Sequence, residues 1–149
     1  MPNNCLTVKG FWRKSSALRS VVRPTIVRGD LVEAMTAGDV PVKIKDENVE
    51  VRLAEVGDMT VSFIRLAEGT DLGPALVGLE GDLCQCPHWG YMLDGTLRMR
   101  TAAGDHTYQA GEAFYWAAGH APMAVTDCSY VDFSPTEQFA PVVRHLQGR

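Results

Sequence analysis

From Val40 to Phe133 the chain is a succession of short apolar–polar alternations cut by glycine turns, and a period of two sustained that far leaves a packed β-architecture as the outcome. Val42-Lys43-Ile44-Lys45 and Val49-Glu50-Val51-Arg52-Leu53 alternate ahead of a Gly57-Asp58 turn. Residues 59–66 are rich in β-formers, and Gly69 and Gly73-Pro74 punctuate the stretch after them. Strands are predicted over 89–93, 96–100, 106–109, 113–116, 123–126 and 129–133, separated by Asp94-Gly95, Gly104-Asp105, Gly111-Glu112 and Gly119-His120. Short strands at this spacing make a sandwich or a barrel. The tail changes period. Phe139, Val142, Val143 and Leu146 recur at helical spacing behind Pro135 and Glu137, which predicts one helix over 135–147 packed outside the sheet. At the other end, Asp30 with Glu33 three positions on reads as a capping box for a short helix over 31–35, closed by Gly38.

With 149 residues, 46% of them apolar and 21% charged, the chain has the bulk and composition of one ordinary globular domain. No apolar run approaches the roughly 18 residues of a membrane helix, the longest, 113–118, being broken at Gly119-His120. Four cysteines are too few for a disulfide scaffold of this length, and no secretory apolar segment precedes them, so the expected setting is reducing and cytoplasmic. Charge is unevenly spread. Of 14 basic and 18 acidic side chains, six basic and no acidic ones fall in residues 1–29. That stretch is expected to be a flexible basic leader, dispensable for folding, with 30–149 as the folded domain. The remainder then carries 8 basic against 18 acidic groups, which argues against nucleic acid or an anionic membrane as partner of the fold.

Two glycine-anchored hairpins stand in order within 81–133. The first ends His88-Trp89-Gly90-Tyr91-Met92-Leu93-Asp94-Gly95, and the second runs Gly111-Glu112-Ala113-Phe114-Tyr115-Trp116-Ala117-Ala118-Gly119-His120. This segment resembles the small single-domain cupins, in which a first motif with two histidines and a glutamate is followed by a second with one histidine. The resemblance implies a β-barrel jelly roll with a central pocket. It does not carry over the usual metal ligands. Counting back from Gly95, His88 holds the glutamate position, Cys84 or Leu83 the second histidine position and Asp82 or Gly81 the first. In the second motif the histidine position falls on Pro122 and the turn proline on Ala117. Fold alone therefore does not assign the function.

In place of the usual set stands Cys84-Gln85-Cys86-Pro87-His88. Side chains at i, i+2 and i+4 of an extended segment share a face, so an inward His88 brings Cys84 and Cys86 inward with it. His120, two positions before Pro122, has the parity to reach the same cavity. Thiolate and imidazole together suit zinc, iron or copper rather than magnesium, and three such ligands with an open position make a catalytic arrangement. The bland alternatives are cysteines serving as small buried hydrophobes and a core histidine satisfied by a carbonyl. Pro87 could also bend the strand out of register. A Cys84–Cys86 disulfide would bridge Cα atoms about 6.6 Å apart, at the edge of the permitted range. A cysteine–histidine nucleophile lacks, in sequence, any group to orient the imidazole.

Alternation sends about half of Trp89, Tyr91, Phe114, Tyr115 and Trp116 to each face. Tyr91, Met92, Phe114 and Trp116 are the candidate pocket walls, with Arg98 as a cation for a ligand carboxylate if it points inward. Arg65 poses the same choice of face, while His106 beside a turn reads as solvated. Cys5 and Cys128 have no evident partner. The reading is a mainly β cupin barrel holding a small organic molecule. Cys84, His88 and His120, with Cys86 as a fourth candidate, would bind one transition metal for dioxygenase, isomerase or lyase chemistry. The rival is a non-catalytic ligand-binding or regulatory cupin without metal. A homodimer is expected from the resemblance and the surplus aromatics.

Overall fold

In the computed structural model, which describes residues 34–148, the alternating runs become nine strands. These are β1 (Val42–Lys45), β2 (Val49–Val56), β3 (Met59–Leu66), β4 (His88–Asp94), β5 (Thr96–Thr101), β6 (Gly104–Gln109), β7 (Ala113–Trp116), β8 (His120–Ala124) and β9 (Cys128–Pro135). Two helices join them, the single turn α1 (Gly73–Leu76) and the longer α2 (Thr136–Gln147). One sheet has the order β1-β2-β3-β9-β4-β7 and the other β6-β5-β8, with every pairing antiparallel.

The period of two does the sorting. On β5, Leu97 and Met99 are buried while Arg98 and Arg100 are exposed. On β4, His88 and Met92 point inward and Trp89, Tyr91 and Leu93 outward. Full burial of a leucine or methionine contributes about 1.5–3 kcal/mol, so a one-residue slip of either strand would forfeit several such terms. Val51, Ile64, Met92, Leu97, Trp116 and Ala124 come from both sheets into one apolar cluster, which places the core between them. Two glycines let the layers close. Gly95 turns the chain at φ 71°, and a Cβ there would collide with the Asp127 carbonyl. Gly90 lies on the inner face between His88 and Met92, where a Cβ would strike the Phe114 ring and the Val131 carbonyl.

Three sequence expectations change. The helix over 31–35 lies mostly outside the described residues; within them, Ala34, Met35 and Thr36 are non-helical and a 3₁₀ turn occupies Ala37–Asp39. The Thr36 N–H donates to the Asp39 carboxylate at 2.8 Å and caps that turn, while the Asp30 cap lies outside the described residues. β8 starts at His120 rather than 123, because Gly119 (φ 91°) completes the turn and the His120 N–H donates to the Cys84 carbonyl at 3.3 Å. α2 runs as the spacing predicts, but its apolar stripe is a wall of the interior: Phe139 and Val142 are buried in the same core cluster, with Val143 and Leu146 packed against it. The basic leader lies outside the described residues. Among the described residues no helix is long and apolar enough to cross a membrane.

Candidate metal centre

Three segments deliver one group. β4 begins at His88 and turns its first side chain inward. β8 begins at His120, paired with Thr101 of β5. Cys84 precedes β4 and is stitched to the start of β8: its N–H donates to the His120 carbonyl at 2.8 Å, and its carbonyl accepts from the Gly119 N–H at 2.8 Å. The backbone bridge thus sets Cys84 and His120 side by side, and period two sets His88 under them. One donor atom from each of Cys84, His88 and His120 lies within 4.8 Å of the other two, and all three residues are buried.

Each imidazole is held from behind. The His120 Nδ1 lies 2.6 Å from the Ala117 carbonyl. A carbonyl only accepts, so Nδ1 carries the proton and Nε2 is left for the site. His88 Nδ1 contacts Ser134 Oγ at 2.7 Å, with Asp132 Oδ2 at 3.5 Å, while its Nε2 stands 3.4 Å from Cys84 Sγ. That carboxylate favours a proton on Nδ1, so Nε2 is the nitrogen that would give up its proton to a metal. Burial pushes the Cys84 thiol up, but hydrogen bonding to His120 and His88 outweighs it and brings the pKa down to about 6. Burial likewise opposes charging His88, yet Asp132 and then Cys84 raise it to about 9. In the metal-free protein the result is a Cys84 thiolate beside a His88 imidazolium.

This donor set fits a soft or borderline transition ion. Zinc at its usual bond lengths and tetrahedral angles separates sulfur from nitrogen by about 3.5 Å, close to the Cys84–His88 spacing found. An outer carboxylate on a ligating histidine is the arrangement that fixes tautomer and raises basicity at metal sites. Asp132 is 1% exposed and its Oδ1 has no hydrogen-bond partner among the described residues, which leaves a buried acceptor beside the group.

The remaining candidates separate. Cys86 is fully buried but stands in the bend before Pro87, its Sγ 3.4 Å from the Pro87 carbonyl and outside the three-residue group. Burial, then Cys84 and Asp132, push its thiol up to about 12. Both cysteines are free thiols. Of the pocket candidates, Trp116 lines the cavity beside the group. Met92 and Phe114 are buried in the core cluster, Phe114 stacked on Trp116 at 3.7 Å, and neither lines the cavity. Tyr91 is on the outer face, 45% exposed, because its register position is odd to His88. Arg98 also points outward, 3.7 Å from Asp105, because Leu97 and Met99 take the inner face. Arg65 and His106 are exposed as well, and burial pushes the Cys128 thiol up to about 11. Sequence reasoning missed Asp132 and Ser134. The signal was a polar pair in phase with Tyr130 on β9, but Val131 and Phe133 made the opposite phase look apolar.

The group opens on a cavity of about 350 Å³. Ile64 of β3, Tyr130 of β9, Leu76 of α1 and Phe139 of α2 supply its walls, and Phe139 meets the His88 ring edge-on at 5.2 Å.

No family model and no curated protein matches the sequence. Solved structures do match the fold. An RmlC-like cupin from Shewanella frigidimarina superposes with a TM-score of 0.50 at 11% identity, over 68% of this chain and 88% of the other. KdgF from Halomonas sp. gives 0.51 at 14%, over 70% and 94%. Ectoine synthase from P. lautus gives 0.52 at 10%, over 70% and 78%. At these identities the likeness speaks for architecture and not for activity. Together with the two facing sheets and the hairpins that end in Gly95 and His120, it establishes that the chain has the cupin fold.

Proposed function

We propose that this chain is a cupin enzyme that holds one transition-metal ion through Cys84, His88 and His120 and acts on a small organic molecule in the barrel. The observation that carries this is the convergence of three buried donors, with both imidazoles fixed at Nδ1 so that Nε2 faces the thiolate. A bound zinc, iron or copper ion would supply Lewis acidity or, for the redox-active metals, oxygen activation. The protein's own part is positional. Asp132 and Ser134 hold His88, the Ala117 carbonyl holds His120, and the backbone bridge holds Cys84. Apolar walls surround the open side of the group. Dioxygenase, isomerase and lyase chemistry all suit such a centre.

Elemental analysis of protein purified without a polyhistidine tag tests the reading. About one equivalent of metal is expected, and Cys84→Ala and His88→Ala should each lose it. Stoichiometric metal retained in both variants would remove the assignment.

One observation favours a second reading. Cys84, His88 and Asp132 also line up as nucleophile, base and orienting carboxylate, the group that the sequence did not reveal. A metal-free protein with turnover abolished by iodoacetamide would move the assignment there; metal-free protein that binds ligand without turnover would be the non-catalytic module. The outer face of β4, β7 and β9 supports the homodimer, since Trp89, Tyr91, Tyr115 and Phe133 are 42–55% exposed there and Trp89 is paired in register with both Tyr115 and Phe133.

A further inference from the structure

We propose that the barrel cavity takes an uncharged, largely hydrocarbon molecule with one polar end, an alcohol, carbonyl or thiol, and that in its metal-free form it disfavours anions. This rests on the reading of Cys84, His88 and His120 as the reacting centre and adds what the cavity admits to it. At about 350 Å³ the space sits at the small end of ligand pockets, which run roughly 300–1,000 Å³. Ile64, Leu76, Pro122, Phe139, Val142 and Leu146 line it with hydrocarbon. Its polar groups are gathered rather than spread: Cys84, His88, His120 and Asp132 lie together, each 5% exposed or less. A ligand must therefore present its polar atom at that cluster and hydrocarbon elsewhere.

The charge of the walls decides the sign. Two acids line the cavity, Asp132 within and the exposed Asp46, and among the described residues no lysine or arginine does. The arginines of β5 are turned away on the outer face, Arg98 toward Asp105 at 3.7 Å and Arg100 toward Asp71 at 3.8 Å. Lys45 and Arg52 are both engaged with Glu50 at 2.7 Å. His88 does not serve, because its Nδ1 is engaged by Ser134 at 2.7 Å and the Asp132 carboxylate at 3.5 Å while its Nε2 faces Cys84 Sγ at 3.4 Å, and His120 Nδ1 is committed to the Ala117 carbonyl. In the metal-free protein a carboxylate or phosphate entering this space would lose its hydration beside two acids, with His88 already paired to Asp132 and no unpaired cation among the described lining residues. A neutral molecule of the same shape meets no such penalty and gains from burying apolar surface.

The probes are 2-naphthol and 2-naphthoate, a neutral and an anionic ligand of nearly the same shape, titrated calorimetrically into the full chain at neutral pH. Titrations are run on chelator-stripped protein and again after zinc loading. We expect 2-naphthol to bind one site, with a Kd lower than that of 2-naphthoate by about tenfold or more in the stripped protein. Leu76→Trp, which fills the cavity, should abolish that binding, and Leu146→Trp, at a partly buried position, serves if the first variant does not fold. Trp89→Ala, on the outer face, should leave it unchanged. Equal or tighter binding of 2-naphthoate to stripped protein, binding of neither probe, or 2-naphthol binding that survives both filling variants would overturn the proposal. Failure of the metal reading is separate: a protein that takes up no zinc yet keeps the naphthol preference refutes the centre and leaves the cavity's selectivity standing.

Discussion

Asp132→Asn probes the centre without touching a metal ligand. The side chain is 1% exposed, its Oδ2 lies 3.5 Å from His88 Nδ1, and asparagine keeps its volume while removing its charge. With the charge gone, Nδ1 holds its proton less firmly and Nε2 becomes a weaker donor. Partners of this kind are worth about 10–100-fold in metal affinity, or roughly 1.4–2.7 kcal/mol. Ser134 still meets the same nitrogen at 2.7 Å, so the single variant should lose about tenfold and the Asp132→Asn/Ser134→Ala double variant about a hundredfold. Zinc affinity is read by competition with a chromophoric chelator, and cobalt substitution reports the Cys84 thiolate through its charge-transfer band. Circular dichroism melts establish that both variants fold. A folded Asp132→Asn protein whose zinc affinity stays within about twofold of wild type would refute the claim that Asp132 tunes His88.

Three further outcomes are expected. In metal-free protein Cys84 titrates near 6 instead of 9.0, so its contribution to stability grows as pH rises from about 6 to 9 and is lost as pH falls through about 6. His88 titrates near 9 instead of 6.5, so its contribution is full below 6.5 and lost as pH rises through about 9. The slopes oppose, and the melting temperature of metal-free wild type should be flat between pH 6.5 and 9, whereas Cys84→Ser should show only the fall; a steady rise in the variant would contradict the His88 assignment. Phe139→Ala should cost about 3–5 kcal/mol in chemical denaturation, because the ring is 7% exposed and joins α2 to the core; a loss under about 1 kcal/mol would show α2 to be detachable. Multi-angle light scattering of the full chain should give a dimer that Tyr115→Glu dissociates, and a monomeric wild type would remove the dimer proposal.

The alternation of β4 and β5 tells which residues share a face, because a strand's two faces follow from neighbours two residues away, but not which face is inner: of the candidate walls Tyr91 and Met92 only Met92 is inside, and Arg98 points out because Leu97 and Met99 take the inner face. The glycines at 95 and 119 marked turns for an equally local reason, a positive φ that a side chain resists. The helical spacing of Phe139, Val142 and Leu146 likewise announced α2, though not that its stripe would wall the cavity. Cys84, His88 and His120 were legible as candidates by parity, but Cys86 shared that parity and is set apart by the bend before Pro87. Asp132 and Ser134 could not be read at all. They lie more than 40 residues from His88 in sequence and reach it only because β9 pairs with β4, opposing Gly90 to Asp132. Sequence alone determined which residues could face inward, since that is local backbone geometry. Which inward residues meet was decided by long-range strand pairing, and with it the pairing of His88 with Asp132, the thiolate and, among the described residues, the exclusion of lysine and arginine from the cavity walls.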